Sequence, residues 1–204
     1  MKRNYDKELL DLVSNLDYTP ELLLHSCCGP CSSYVISFLT NYFNITIIYY
    51  NPNIEPKEEY LKRKDVQKKL LKEIDTVNKL EFIDCDYDNE LYHKYIKGYE
   101  EEHEGGKRCD LCFKLRLQFV AKLAKEKEYD YFGTTLTVSP YKNHIIINNI
   151  GEKLEEEYDI KWLVSDFKKR EGYKKSIELS KKYDLYRQDY CGCLYSLNET
   201  LDKN

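Results

Sequence analysis

Seven of the eight cysteines stand in three short clusters: Cys27-Cys28-Gly29-Pro30-Cys31, Cys109-Asp110-Leu111-Cys112 and Cys191-Gly192-Cys193. A thiolate is a nucleophile, a redox group and a soft metal ligand, so the compartment decides which of these roles a cluster can take. The stretch Met1–Leu10 mixes charges of both signs and lacks the apolar core of a signal peptide. The longest apolar runs, such as Ile45–Tyr50, fall far short of a bilayer span. A cytoplasmic protein is therefore expected, with no membrane partner. In reducing cytosol, clustered cysteines predict metal ligation or redox catalysis rather than fold-stapling disulfides.

The spacings narrow the chemistry. Cys109-x-x-Cys112 is shared by zinc sites, iron–sulfur sites and thiol redox pairs. Adjacent Cys27 and Cys28 can face one site only where the backbone turns sharply, and Gly29-Pro30 supplies a turn. A strand before this loop and a helix after it would place the sulfurs at a helix N-terminus, where partial positive charge favours thiolates. In Cys191-Gly192-Cys193 the glycine lets the chain fold tightly, so the pair can chelate one metal or close into a small, labile disulfide. Seven clustered cysteines exceed the four that one zinc or one cubane cluster needs. The surplus predicts a four-cysteine cluster plus a second metal or redox site. Cys85 stands alone and reads as a small core residue. His25 and Asp110 read as structural, and His93, His103 and His144 show no ligand spacing.

These clusters must be positioned by a scaffold, and its outline is regular. Apolar residues make up 42% of the 204-residue chain and charged residues 33%, as in ordinary globular proteins. Strand-length apolar runs (21–26, 45–50, 80–84, 130–135, 161–165) alternate with helix-period segments (5–15, 32–42, 56–77, 89–102, 112–126, 143–158, 173–183). That alternation predicts one α/β domain over residues 1–204, a three-layer α/β/α sandwich on a mainly parallel, doubly wound five-stranded sheet. A cysteine-bearing C-terminal segment, 184–204, completes it. Such sheets bind ligands beyond the carboxyl ends of their strands. The loops after strands one, two and four should therefore share one rim.

The net charge of −4 argues against a dedicated nucleic-acid binder. Any RNA contact must use a local basic face. Two runs qualify: Lys62, Arg63, Lys64, Lys68, Lys69 and Lys72; and Lys168, Lys169, Arg170, Lys174 and Lys175. Most of the 20 tyrosines read as amphipathic packing residues.

The motifs occur in a telling order: His25-Ser26-Cys27-Cys28-Gly29-Pro30-Cys31, Tyr50-Asn51-Pro52-Asn53-Ile54, Glu59-Tyr60 with Arg63, Arg108-Cys109-x-x-Cys112 with Arg116-Leu117, Thr134-Thr135-Leu136, Ser139-Pro140-Tyr141-Lys142, Gly172-Tyr173 and Tyr186-Arg187-Gln188-x-Tyr190-Cys191-Gly192-Cys193. This pattern resembles the cobalamin-independent epoxyqueuosine reductases of the QueH type, over nearly the whole chain after residue 21. The resemblance implies reductive removal of an epoxide oxygen in the last step of queuosine synthesis on tRNA. It also implies a nucleotide-binding-like α/β/α fold and a 4Fe-4S cluster on Cys27, Cys28, Cys109 and Cys112. An adjacent iron ion would be served by Cys31 and the Cys191/Cys193 pair, and that pair is also described in the family as a redox-active disulfide. Implied partners are the tRNA anticodon loop bearing epoxyqueuosine and an electron donor of unknown identity. Arg63, Lys142, Arg187 and Gln188, within the matched motifs, are the candidate substrate contacts. Two rivals remain. An iron–sulfur tRNA thiolase on a related fold would need an ATP-binding Gly/Ser-rich loop where Cys27–Cys31 stands. A zinc-stabilised RNA-binding module would be colourless.

Overall fold

The computed structural model describes residues 3–202. Residues 1, 2, 203 and 204 lie outside it, and with them the start of the stretch Met1–Leu10 and the last two positions of the segment 184–204. The chain runs α1 (Tyr5–Ser14), β1 (Glu21–His25), α2 (Gly29–Leu39), β2 (Asn44–Tyr49), α3 (Lys57–Glu73), β3 (Leu80–Asp84), α4 (Asn89–Tyr95), α5 (Lys107–Glu126), β4 (Tyr131–Thr134), α6 (His144–Tyr158), β5 (Lys161–Trp162), α7 (Gly172–Lys182) and α8 (Leu194–Leu201). The five strands form one sheet in the order β3-β2-β1-β4-β5. Every pairing is parallel, with Leu23 of β1 opposite both Thr46 and Phe132. No helix among the described residues is long and apolar enough to cross a membrane.

Central strand β1 shows why the sheet is covered on both faces. Leu22, Leu23 and Leu24 are all fully buried, and successive side chains point to opposite faces. Leu22 and Leu24 pack with Leu9, Val13, Val35, Leu39 and Leu70 from α1, α2 and α3. Leu23 packs on the other face with Phe113, Leu117 and Val120 of α5 and Ile147 of α6. Each such leucine contributes about 1.5–3 kcal/mol through apolar burial. Many tyrosines are core residues, including Tyr5, Tyr34, Tyr49, Tyr60, Tyr92 and Tyr131.

The strand order reverses between β1 and β4, which opens a crevice at their carboxyl ends. Backbone bonds continue past the strand ends there: the Ser26 amide donates to Ile48 and the Thr135 amide to His25. Asn51 Nδ2 donates to the Ser26 carbonyl at 2.8 Å. The loops after β1, β2 and β4 are thus tied into one rim.

Several elements differ from expectation at their ends. The second helix starts at Gly29 rather than Ser32, so Cys28 becomes its N-cap. The third stops at Glu73 because Ile74 turns to extended backbone and drops into the core. The helix expected over 89–102 ends at Tyr95, and Gly98 then takes a positive φ of 89°. Strand pairing of the fifth segment covers only Lys161–Trp162. Helix α8 was not expected at all.

His25 locks this rim from inside the core. Its Nε2 faces the Tyr50 carbonyl at 3.1 Å, so that nitrogen carries the proton and donates. Nδ1 meets the Thr134 hydroxyl at 2.9 Å, and that hydroxyl also accepts from the Leu136 amide. Burial, with Arg116 nearby, pushes the imidazole down from 6.5 to about 3. Between those pH values the unfolded chain binds a proton that the native state refuses. This contribution to stability is therefore complete above pH 6.5 and declines as pH falls towards 3. In urea titrations of wild type and His25→Gln, the wild type should lose stability faster across this window, by a difference approaching about 1.4 kcal/mol per pH unit.

Candidate metal centre

Cys27, Cys28 and Cys31 meet at the N-terminus of α2. Their sulfurs all lie within 4.8 Å of one another, and Cys27 Sγ stands 3.9 Å from Cys28 Sγ. Below them Ser32 Oγ donates to the Cys28 carbonyl at 2.9 Å. Ser26 Oγ and Ser32 Oγ both contact Gln67 Oε1 of α3, at 2.7 and 2.9 Å. This buried polar knot holds the turn rigid. Cys28 is the most readily ionised of the three. Hydrogen bonds from the Cys27 and Cys31 thiols hold it well below the ordinary thiol value, against the cost of burial, with help from the Cys31 amide and Gln188. The same bonds push Cys27 and Cys31 up. Within the triad Cys28 is the sulfur that gives up its proton first, served by the two other thiols at the positive end of a helix.

Cys109 and Cys112 repeat this placement on α5. Gly106 is the N-cap, so both lie in the first turns of the helix rather than in a loop before it. Burial pushes Cys109 up to about 11, although the Gly105 amide donates to its sulfur at 3.2 Å. Burial pushes Cys112 up to about 12, and Arg116 opposes that. The neighbouring sulfurs of Cys191 and Cys193 push both further up. Cys193 is the N-cap of α8, where its sulfur accepts from the Ser196 amide. Three helix N-termini therefore carry cysteines in one neighbourhood. All eight cysteines, the Cys191/Cys193 pair included, are free thiols.

Two cations lie among these sulfurs. Arg116 is 2% exposed; its Nε donates to the Cys112 carbonyl at 3.0 Å, while Nη2 is buried without a partner. Burial would lower its pKa, yet Cys112, Cys191 and Cys27 raise it. For Lys142, too, burial works downward, and Cys191, Cys27 and Cys31 lift it above its ordinary value. Cys191 is thus felt from both sides of the site. Lys142, Cys109 and Cys191 line a cleft of about 60 Å³, together with Asp110, Phe113 and Tyr141.

Among the described residues the α2 triad is the one group of three or more His, Cys, Asp or Glu compact enough for a single ion. Neither Cys109 nor Cys112 joins it at that spacing. Ligands at separate corners of a cluster need not be so close. The donor set is entirely sulfur, which suits a soft or borderline metal. The high-pKa thiols of Cys109 and Cys112 stay protonated unless a cation replaces the proton. The orphaned Arg116 Nη2 and the raised Lys142 are arranged for a centre that carries net negative charge.

The sequence-nominated contact residues fall into different roles. Gln188 Nε2 donates to Cys28 Sγ at 3.1 Å, beneath the sulfurs. Arg187 Nη1 donates to Ser180 Oγ at 3.0 Å, on α7. Lys142 lines the cleft. Cys85 is half-buried behind β3. Arg116, missed as a site residue, had a readable signal: it sits four residues after Cys112 and three before Phe119, on an otherwise apolar stripe with Phe113, Leu117 and Val120.

Arg63 holds the last cysteine pair in place. It is 1% exposed and pairs with Glu59 at 2.6 Å. Its Nη1 donates to the Cys191 carbonyl at 3.0 Å and Nη2 to the Tyr190 carbonyl at 3.3 Å. The Glu55 amide donates to the Gly192 carbonyl at 2.8 Å. Gly192 has φ 138°, and a Cβ there would come within 3.1 Å of Arg63 Nη1. From the other side Arg108 bonds the carbonyls of Glu100 and Glu102 and pairs with Glu199 of α8. Arg63→Ala removes the charged partner of a largely buried carboxylate, which keeps only the Tyr186 hydroxyl, and strips two carbonyls of their donors. It should cost about 3–5 kcal/mol in urea denaturation, and limited proteolysis should then cut the segment after Leu185 first. Arg63→Lys, which lacks the fork, should recover less than half of that loss.

The family model described as "Epoxyqueuosine reductase QueH" matches residues 22–199. Proteins named epoxyqueuosine reductase QueH are similar along most of the chain. That of Staphylococcus epidermidis is 45% identical over 96% of this chain and 85% of its own length. That of Streptococcus pyogenes serotype M1 is 42% identical over 96% and 78%, and that of Thermotoga maritima 35% identical over 90% and 93%. Among solved structures, a predicted subunit of tRNA methyltransferase from Methanocaldococcus jannaschii overlays with a TM-score of 0.49 at 19% identity, covering 78% of this chain and 74% of that one, too loose a likeness to bear on function. With a family match across 22–199 and relatives this similar, the chain belongs to the epoxyqueuosine reductase QueH family.

Proposed function

We propose that this chain is a cytoplasmic oxidoreductase that converts epoxyqueuosine in a tRNA anticodon loop to queuosine. The observation that carries this reading is the convergence of cysteines from three helix N-termini beside the buried Arg116 and the half-buried Lys142, at the switch point of a QueH-family sheet. The reaction takes up two electrons and two protons. Both epoxide C–O bonds break, the oxygen leaves as water and the ring carbons become an alkene.

We assign Cys27, Cys28, Cys109 and Cys112 to a 4Fe-4S cluster, with Cys31 beside it serving an additional iron. Bound there, the irons would deliver single electrons and act as Lewis acid. The chain's own residues do the rest. The positive ends of α2, α5 and α8 offset the charge of the sulfurs. Arg116 neutralises charge from below without exchanging protons. Lys142 keeps a proton on Nζ at the cleft, in position to donate to an oxygen entering there. Phe113 closes the inner wall and limits water. Gln188 orients the Cys28 sulfur.

The Cys191/Cys193 pair has two roles open to it, ligation of the additional iron or cycling as a dithiol, and replacing each by Ser separates them. Loss of iron from Cys191→Ser marks ligation. Retained iron with one turnover and no second marks the dithiol. The reading as a whole predicts a brown protein after anaerobic reconstitution, which yields queuosine from epoxyqueuosine-bearing tRNA under reductant. Cys112→Ser should lose both colour and product. A colourless zinc protein without turnover would overturn it.

A further inference from the structure

Tyr141 is the most exposed large apolar side chain among the described residues, at 78%. Its ring and hydroxyl have no partner among the described residues, whereas Tyr186, Tyr190 and Tyr195 nearby all lie against a cation. A single exposed tyrosine is unremarkable in itself. Its place is what matters: it forms the lip of the cleft that reaches Cys109, Cys191 and Lys142. It is anchored on both sides, by the Lys142 amide donating to the Ser139 carbonyl and by Asn143 capping α6 through the Ile145 amide at 3.0 Å. Lys168 Nζ reaches the Lys142 carbonyl at 3.4 Å, so the basic run 168–175 begins beside this lip.

The cleft decides what part of a substrate can enter. About 60 Å³ has room for roughly four waters, which admits the epoxide edge of a small ring and leaves a fused bicyclic nucleobase outside. A substrate that must bring a small ring to the sulfurs leaves its base outside, at the lip, with an apolar face to cover. An unstacked base in an RNA loop seeks an aromatic platform. We propose that Tyr141 is that platform: the modified nucleobase stacks on its ring while the epoxide-bearing ring enters the cleft. This deepens the reading above and rests on it. Tyr141 is a substrate-contact residue, with no part in electron or proton transfer.

The test uses the reconstituted full chain and anticodon stem-loop RNA carrying epoxyqueuosine, with a stem-loop abasic at that position as control. Because Tyr141 is solvent-exposed, its variants should fold with unchanged melting curves. Tyr141→Ala and Tyr141→Leu should weaken Kd, read by fluorescence anisotropy, by about 5- to 100-fold, and Tyr141→Phe should restore it. At saturating RNA the single-turnover rate should fall much less than the affinity. The abasic RNA should bind wild type and Tyr141→Ala alike. Wild-type affinity in Tyr141→Ala, or equal affinity of the Leu and Phe variants, would overturn the stacking role. Wild type that binds the epoxyqueuosine loop through Tyr141 but never reduces it would overturn the reaction and leave the platform standing. No binding by wild type overturns both.

Discussion

Cysteines at the positive ends of three helices are the constraint on which the rest of this molecule depends. Sulfur held as thiolate in a buried place is costly unless something positive faces it. Here α2 presents Cys28 at its cap and Cys31 in its first turn, α5 presents Cys109 and Cys112, and α8 begins on Cys193. The parallel sheet makes this possible, because every strand delivers its following segment to the same edge. The reversal of strand order between β1 and β4 opens a gap there that the sulfurs and Lys142 fill.

The arginines divide the remaining work. Arg116 faces the sulfurs with an unused donor, so its charge serves the centre itself. Arg63 spends its donors on the Tyr190 and Cys191 carbonyls and so binds the C-terminal segment to α3, while Arg108 of α5 holds the same segment through Glu199 and the Tyr195 ring. The last cysteine pair arrives on a segment with little core of its own. Its position is inherited from these two guanidinium forks and from Glu55, which takes the Leu194 amide while its own amide meets Gly192. The site is a joint between the sandwich and its tail.

Much of this was legible in the residues. The strand-length runs, their alternation with helices and the shared rim followed from periodicity and the rules of parallel sheets. The cysteine clusters announced themselves by spacing. What could not be read were tertiary effects. The cap of α2 at Cys28 depends on the close approach of α3 at Gly29, where a Cβ would meet Val66 at 3.0 Å. Beyond α4 the chain is held out of helix where Arg108 claims the carbonyls of Glu100 and Glu102. Its place in a matched motif and in a basic run made Arg63 look like a substrate contact, because an arginine on a lysine-rich helix gives no local sign that two carbonyls from residues 190 and 191 await it. The basic run on α3 is likewise largely engaged inside the protein, Lys64 and Lys68 with Asp84 and Lys62 over Tyr186.

Sulfurs from separate helices that grip one iron–sulfur centre leave a signature in iron K-edge X-ray absorption of the anaerobically reconstituted chain. A first shell dominated by sulfur and an iron–iron vector are expected, both lost when Cys28 and Cys112 are replaced by serine. A first shell of nitrogen and oxygen with no iron–iron scattering would contradict such a centre.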